Sequence, residues 1–443
     1  MSTGPVSGRL RYCKDLWKIE KRLIQIFPFY GDFNFLHNRV KKRYFINNSL
    51  IKNSSYPIKI TERLILYLII LDYNIKNSIL RICVRCLFSP KLKNIRKILV
   101  IRNGSIGDSI SAFPAIAKIR EAFPDSQIDI LNNSGPFVPL SEIINREIVN
   151  DVIEYKNISF SFIKLLFKKK YDLVIDLPQN LVTFSRLLRN IFVIRLLGYR
   201  HAFGWQISTT RLFKKYQEKY LYFPSEPNRL LNILNQNGIG VDNFQKNYLL
   251  KFSVAIESKI SSLLNKMNLN VEKIVAVAIG ANRPQNRWPI QYFREVVQYL
   301  SENDFTTIFI GGEADFNSAS EIATYSNVHN FCGKLTVKES ACILQKCLMT
   351  ISNDSGPMHL SYAVGTPVVA LFASRQHPGL WYPPEDARSI VHRNYNIPCS
   401  MCFSEATGRN TCNNNICMQG IKPLDVIRSI RKILVILNND RVA

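Results

Sequence analysis

The sequence of 443 residues lacks an apolar run long enough to span a membrane, and it is poor in acidic residues. Its most apolar segment, Leu64 to Leu71, falls short of the roughly 18–20 apolar residues that a spanning helix needs. The first residues also lack the apolar core of a signal peptide. These absences argue against a membrane-spanning or secreted protein. They predict a cytoplasmic protein whose ten cysteines are mostly reduced thiols.

Positive charge is in large excess. The chain has 58 Lys and Arg against 33 Asp and Glu, a net charge of +25, and residues 1–97 alone hold 20 basic residues against 5 acidic ones. Such a charge favours an anionic partner, which could be a membrane surface, an acidic saccharide or a nucleic acid. The apolar segment Leu64 to Leu71 fits an amphipathic helix that lies on a membrane or on the protein body, and a plain buried helix is the alternative.

The order of apolar and helical patterns predicts the organisation of the chain. From Ile98 onward, and again from Ile274, short apolar strands alternate with helical stretches. This alternation predicts an α/β protein with two Rossmann-like halves, each built on a parallel sheet, that face a cleft. We expect a basic, mainly helical extension at 1–96, one half at 97–255 and the other at 256–443. We also expect the extension to be separable from the catalytic body.

The first loop of interest follows the strand that begins at Ile98. It reads Gly104-x-x-Gly107-Asp108 and is not the GxGxxG dinucleotide fingerprint. Asp108 stands at the start of a predicted helix, where its carboxylate could accept a proton from an attacking hydroxyl. An aspartate in this position could equally be an ordinary helix cap.

A second polar turn, NDSGPMHL at 353–360, follows another apolar strand. In an open α/β sheet, ligands bind at such strand ends, and the N–H groups of the following helix suit a phosphate. Asp354 and His359 could hydrogen-bond a sugar or a pyrophosphate. Helix capping by Asp354 and Ser355 is the alternative.

Charged residues follow two further strands. Arg283 and Arg287 could offset the charge that develops on a diphosphate leaving group, or they could be solvated surface residues. Glu313 and Asp315 could accept hydrogen bonds from a ribose, or they could complement a helix dipole.

Four cysteines near the end of the chain fall in one loop rich in Asn, Gly and Ser. They are Cys399, Cys402, Cys412 and Cys417, and a set of four thiols could hold a structural zinc ion. The second pair is not a CxxC pair, so reduced or incidentally paired thiols remain the alternative.

Five segments, taken in order, carry a family resemblance: KILVIRNGSIGDSISAFPAIAKIREAFP, YDLVIDLPQN, NRWPIQYF, ISNDSGPMHLSYAVGTPVVALF and the cysteine-containing tail that ends in CMQGI. Together they resemble glycosyltransferase family 9, which includes the ADP-heptose:lipopolysaccharide heptosyltransferases. The resemblance covers about residues 97–437, and residues 1–96 find no counterpart in the family.

The resemblance implies a GT-B fold in which the acceptor binds the first half and a nucleotide sugar binds the second. It implies inverting transfer that needs neither a metal nor a cofactor, with Asp108 as the general base. Trp288 matches the family's Arg-Trp-Pro element. The residues that match or lie near the family's donor-binding positions are Arg287, Glu313, Asp354, Ser355, Gly356 and His359.

The chain also departs from the family pattern. A lysine that often precedes Arg-Trp-Pro and contacts the donor phosphates is Asn286 here. The family's Gln-Gly pair is Gln179-Asn180, and a basic residue expected soon afterwards is replaced by Thr183. These departures bear on the identity of the donor and of the acceptor.

The leading hypothesis is therefore an inverting glycosyltransferase that moves a sugar, with heptose from ADP-heptose expected, onto a lipopolysaccharide core or a related glycan. Its partners would be a nucleotide-sugar donor, an anionic or lipid-linked acceptor and the inner face of the cytoplasmic membrane, with no nucleic acid. Two alternatives remain. One is a basic membrane- or nucleic-acid-binding protein with the Rossmann halves as scaffold, and the other is a non-catalytic family member.

Overall fold

The computed structural model describes residues 60–89, 94–133, 140–157, 159–180, 182–208, 225–240, 250–376, 378–384, 388–395 and 414–442, together with residues 397, 399, 402 and 412. The chain divides into two compact units, Met1–Leu68 and Ile69–Ala443, and both β-sheets lie in the second. Residues 1–59 of the expected extension lie outside the described residues. Among the described residues, no helix is long and apolar enough to cross a membrane.

The apolar segment near residue 70 belongs to helix α1, Ile60–Leu87. One side of its second half is buried, with Leu80 in a core cluster and the Asn77 side chain accepting a hydrogen bond from the backbone of Ile207. Phe88, directly after the helix, stacks on Trp205 at 5.6 Å between ring centroids. The expectation of a separable extension is therefore wrong for this helix, because its end is part of the protein core.

The first sheet has five parallel strands in the order β3-β2-β1-β4-β5. Its elements are β1 Lys97–Ile101, α2 Ile106–Ala122, β2 Gln127–Asn132, β3 Asp151–Glu154, α3 Phe160–Lys169, β4 Leu173–Asp176, α4 Phe184–Leu196 and β5 Ala202–Phe203, followed by α5 Glu226–Gln236. Alternate residues of a strand face opposite sides of a sheet. Ile98 and Val100 pack with α2 and α5, while Leu99 and Ile101 pack with α1, α3 and α4.

The second sheet has six parallel strands in the order β11-β10-β9-β6-β7-β8. After the connecting helix α6 Val254–Lys266 come β6 Ile274–Ala278, α7 Ile290–Glu302, β7 Thr306–Phe309, α8 Phe316–Ile322, β8 Val328–Asn330, α9 Val337–Gln345, β9 Met349–Asn353, α10 Gly356–Ala363, β10 Val368–Phe372, β11 Ser389–Arg393, α11 Ile416–Gln419 and α12 Pro423–Val442. Its strands β6, β9 and β10 are buried along their whole length on both faces of the sheet, which explains their largely apolar sequences.

The α/β architecture with two parallel sheets is as predicted. The domain limits 97–255 and 256–443 stay a prediction, and each range encloses one sheet. The stretch 202–251, which reads as irregular in the sequence, contains helix α5. A single core cluster joins the two halves, because apolar residues of α2, α5, α6, α9 and α10 pack together.

Candidate active site

The two loops singled out in the sequence meet in the structure. Helix α2 begins at the carboxyl end of β1, helix α10 begins at the carboxyl end of β9, and their first turns touch. A Cβ atom on Gly107 would lie 2.8 Å from the imidazole ring of His359, and a Cβ atom on Gly356 would lie 3.5 Å from Ile106. The loop of the expected base therefore lies directly against the loop of the expected donor site.

Asp108 caps its own helix through one oxygen. Its Oδ2 atom accepts hydrogen bonds from the backbone N–H of Ser105 at 2.9 Å and from the Ser105 hydroxyl at 2.8 Å. Its Oδ1 atom lies 3.8 Å from Nη2 of Arg102. Burial raises the pKa of Asp108, and the charge of Arg102 and the Ser105 hydrogen bonds offset this only in part. The carboxylate of Asp108 can therefore both cap helix α2 and act as a base of raised pKa.

A fully buried arginine, Arg102, holds the loop of Asp108 in place. The guanidinium of Arg102 donates to the backbone carbonyl of Asp108 from Nε at 3.1 Å and from Nη2 at 2.7 Å. Its Nη1 donates to the carbonyls of Leu177 and Pro178, both at 3.2 Å, in the loop after β4. The same guanidinium forms an ion pair with Glu226 at 3.3 Å. Arg102 thus fixes the loop of Asp108 to the neighbouring strand and to helix α5.

Glu226 and its neighbours complete a buried charge network that sequence reasoning missed. Burial alone would raise the pKa of Glu226, but the charges and hydrogen bonds of Arg229 and Arg102 lower it. Burial raises the pKa of Asp176, at the end of β4, to about 7, although the charges of Arg102 and Arg229 act in the opposite direction. Two members of this network stand beside motifs in the sequence: Asp176 at the end of the DLVIDL strand and Arg102 before the glycine loop. These were the signals by which the network could have been found.

Steric contacts explain why the loop before Asp108 has a glycine at position 104. Gly104 has a φ of +133°, and a Cβ atom there would lie 2.5 Å from Cβ of Asp108 and 2.5 Å from Nε2 of Gln179. Only glycine fits such a conformation and such an approach. Gln179, which precedes the departing Asn180, therefore packs against the loop of Asp108.

On the donor side, Asn353 joins two loops at the end of β9. Its side chain donates to the carbonyl of Ile279 at 2.7 Å and accepts from the backbone N–H of Trp288 at 3.0 Å. The next residue, Asp354, accepts a hydrogen bond from the side chain of Asn286 at 3.2 Å. Asn286 in turn accepts one from Arg375 at 3.2 Å. The asparagine that replaces the family's lysine thus bridges a carboxylate and an arginine.

The environment of Asp354 is cationic. Burial raises the pKa of Asp354 to about 6, and the charges of Arg375, Arg393 and Arg283 oppose that shift. Burial also lowers the pKa of Arg375, as does the nearby charge of Arg283. Arginines therefore gather beside the first turn of α10, where Ser355 precedes Gly356 and the backbone N–H groups begin the helix.

His359 is a neutral, buried contact between the halves. Its Nδ1 atom lies 2.8 Å from the hydroxyl of Tyr362, and its ring meets Trp381 edge to face at 6.3 Å between ring centroids. Burial lowers its pKa to about 4, so the imidazole is uncharged at neutral pH. Tyr362 is hydrogen-bonded to Ser111 of α2. His359 was expected to bind the donor, and the structure shows it packed on Gly107.

Two other expected donor residues lie at the edge of the site. Arg287 is exposed, and its Nε donates to the carbonyl of Ala281 at 3.0 Å. Glu313 is exposed in the short helical turn after β7. Asp315 in the same turn accepts from the backbone N–H of Gly312 at 3.0 Å, so it caps this turn. Contacts of these residues with a donor stay predictions.

The four cysteines of the late loop are neighbours. Burial raises the pKa of the Cys402 thiol, and the nearby thiols of Cys412, Cys399 and Cys417 raise it further. Within the described residues, which include all four, no three His, Cys, Asp or Glu side chains stand close enough to hold a metal ion. The structural zinc site stays a prediction.

Comparison with known proteins agrees with this geometry. The model of glycosyltransferase family 9 (heptosyltransferase) matches residues 159–411. Lipooligosaccharide heptosyltransferase 2 of Campylobacter jejuni is 25% identical over 342 residues, which is 74% of this chain and 95% of that protein. Lipopolysaccharide heptosyltransferase 3 of Escherichia coli is 27% identical over 297 residues, 62% of this chain and 83% of that protein.

Solved structures show the same fold. A glycosyltransferase of family 9 from Veillonella parvula gives a TM-score of 0.62 at 20% identity, covering 77% of this chain and 97% of that one. The ADP-heptose lipopolysaccharide heptosyltransferase II of Escherichia coli gives 0.58 at 21% identity, covering 77% and 99%. The fold and the matched residues define a glycosyltransferase of GT-B architecture. The chain belongs to glycosyltransferase family 9.

The charges around Asp108 give a prediction of opposite sign for two variants. Arg102→Gln removes a charge that lowers the pKa of Asp108, and Glu226→Gln removes one that raises it. If Asp108 must be deprotonated to act, the acid limb of the kcat profile should move to higher pH in the first variant and to lower pH in the second. Arg428→Gln, at an exposed ion pair with Asp425, is the control. A shift of the acid limb in the same direction in both variants would contradict this account of the site.

The contact between Gly107 and His359 gives a second prediction. Gly107→Ala places a methyl group within about 3 Å of the imidazole ring and should lower the free energy of unfolding by roughly 1–3 kcal/mol, as overpacking does. In a His359→Ala background the same substitution should cost little, because the ring is gone. Denaturant titration measures both, with Gly312→Ala, which has open space, as control. Equal losses in both backgrounds would show that the two residues are not coupled.

Proposed function

We propose that this glycosyltransferase moves heptose from ADP-heptose onto a lipopolysaccharide core or a related glycan, with inversion at the anomeric carbon. The observation that carries the proposal is the contact between the first turn of α2, which holds Asp108, and the first turn of α10. The names of the relatives, which are heptosyltransferases, support the choice of sugar.

In the proposed reaction, an acceptor hydroxyl attacks the anomeric carbon and gives its proton to Asp108 as the bond to the diphosphate breaks. A raised pKa suits a general base, because basicity nearer the working pH favours proton transfer. The Ser105 hydrogen bonds to Oδ2 and the Arg102 bonds to the backbone hold the carboxylate in one position. Preorganised geometry of this kind lowers the barrier without reorganisation during the reaction.

The donor diphosphate would lie at the first turn of α10, beside Asp354, Ser355 and Gly356. Backbone N–H groups at a helix start favour an anion. Arg375 supplies positive charge beside Asn286, the position where the family often has a lysine, so a cation still stands at this point of the site. Arg287 would lie beside the diphosphate and Glu313 beside the ribose, while His359 would keep the α10 turn against α2.

We place the reaction at the cytoplasmic face of the membrane, where a lipid-linked, anionic acceptor would be presented to the first half. The basic extension 1–96 would add a peripheral contact with that surface. None of the steps above requires a metal or a cofactor.

Asp108→Asn tests the base. The amide oxygen can still accept the Ser105 hydrogen bonds, so stability should change little while turnover falls by about 10²–10⁴-fold, the usual span for loss of a general base. Donor binding should be retained. Transfer rates with ADP-heptose and a core acceptor fragment measure the effect. Near-normal turnover would reduce Asp108 to a helix cap.

Asp354→Ala and His359→Ala test the donor site. Each should weaken ADP binding by roughly 1–3 kcal/mol, because Asp354→Ala removes a polar group beside the donor and His359→Ala releases the α10 turn from α2. Calorimetry on the folded variants measures this, with the exposed Asp425→Ala as control. A panel of nucleotide sugars then tests donor identity, since a ligand at 100 times its Kd stabilises the protein by about 2.7 kcal/mol. Unchanged ADP affinity in both variants would place the donor elsewhere.

A further inference from the structure

Three helices cover the same face of the first sheet. Helices α1, α3 and α4 contribute Leu80, Leu166 and Leu187 to one core cluster with the strands beneath them. Their opposite sides face away from the sheet. In a protein surrounded by water, such outward sides are mainly polar. Here they are not.

Helix α1 carries an apolar stripe on its outward side. Leu71, Ile75, Ile79 and Ile82 are 47%, 50%, 39% and 60% exposed. Their spacing of four, four and three residues puts them on one side of the helix, roughly opposite the buried Leu80. Exposed Arg81 and Arg85 flank the stripe.

Helices α3 and α4 repeat this arrangement. On α3, Phe160 and Phe167 are 82% and 59% exposed, and the exposed Lys164 lies between them. On α4, Leu196 is 84% exposed and lies near Phe192 at 47%. Single exposed apolar residues are ordinary, but aligned stripes on three neighbouring helices form a patch of the kind that marks an interaction site.

The charged residues around the stripes are almost all basic. Residues 71–87, 160–169 and 184–196 contain nine Lys and Arg, and Asp72 is their one acidic residue. Asp72 is itself paired with Lys76 at 2.6 Å. A second copy of the chain would bring like charges together across such a surface, so self-association is disfavoured. An apolar surface with basic flanks is complementary to a bilayer that contains anionic lipids.

We propose that the outward sides of α1, α3 and α4 form a docking surface for an anionic bilayer. The apolar stripes enter the boundary between headgroups and acyl chains, and the basic residues contact the lipid phosphates. The proposal rests on the proposed function only in that a lipid-linked acceptor would be presented at this bilayer.

The position of the surface fits that purpose. Helix α4 begins just after the loop that follows β4, and Gln179 of this loop packs against the loop of Asp108. The start of α4 therefore lies at the edge of the first sheet that holds the expected base, while Phe192 and Leu196 lie near the other end of the helix. A protein docked through these three helices keeps its acceptor half next to the membrane.

Vesicle binding of the full chain tests the docking surface. Co-sedimentation with phosphatidylcholine vesicles that contain 30% phosphatidylglycerol, by mole, should show binding that weakens steeply between about 50 and 500 mM salt, because salt screens exposed charges. Vesicles of phosphatidylcholine alone should bind much less.

Two triple variants separate the apolar and the basic contributions. An apolar set, Phe160→Ser with Phe167→Ser and Leu196→Ser, and a basic set, Lys164→Gln with Lys168→Gln and Arg189→Gln, should each weaken vesicle binding by at least tenfold at low salt. The matched control removes exposed apolar residues from the other half: Val271→Ser, Leu424→Ser and Val435→Ser. The control set should bind vesicles as the unaltered protein does.

Transfer to a soluble acceptor fragment distinguishes this proposal from the proposed function. Both triple variants should keep normal turnover on the fragment, because neither set touches the site. Absence of transfer in the unaltered protein would overturn the proposed function and leave the vesicle result standing. Unchanged vesicle binding in both triple variants would overturn the docking surface. So would sedimentation showing a dimer that the same variants dissociate, since the patch would then be a self-interface.

Discussion

The buried guanidinium of Arg102 is the interaction on which the rest of the first half depends. It has no exposed surface, and it reaches the loop of Asp108, the loop after β4 and Glu226 of α5. Leaving one partner of a buried ion pair alone costs roughly 3–5 kcal/mol, so each of these segments is held in place by the others. The guanidinium that joins these segments also lowers the pKa of the Asp108 carboxylate. Fold and chemistry are therefore coupled through one side chain.

The second half is organised differently, around loops that end its strands. Asn353 ties the loop before α7 to the end of β6, and Asn286 connects Asp354 with Arg375. Amides can donate and accept at once, so they link a carboxylate to a cation without adding charge. The uncharged His359 closes the contact with α2, and its low pKa keeps that contact insensitive to pH in the neutral range.

Much of the fold could be predicted, because buried parallel strands leave continuous apolar runs such as those at Ile274 and Val368. Strand β5 has only two residues, and α3 has apolar residues on its outward side, so neither gives a clear pattern. In the site, the loops of Asp108 and Asp354 could be predicted because each follows a strand. Glu226 could not, since it lies 124 residues beyond Arg102 in a stretch without clear periodicity.

That separation along the chain has a consequence for synthesis. Domains fold as they emerge, from the N-terminus onward, at about 5–20 residues per second. When Phe203 has left the ribosome, all five strands of the first sheet exist, but Glu226, the buried acid nearest to Arg102, does not. A sheet that closed at that stage would enclose Arg102 without this ion pair. The first half therefore completes its core only after α5 has emerged, because this helix brings both Glu226 and the core residues Leu230 and Leu234.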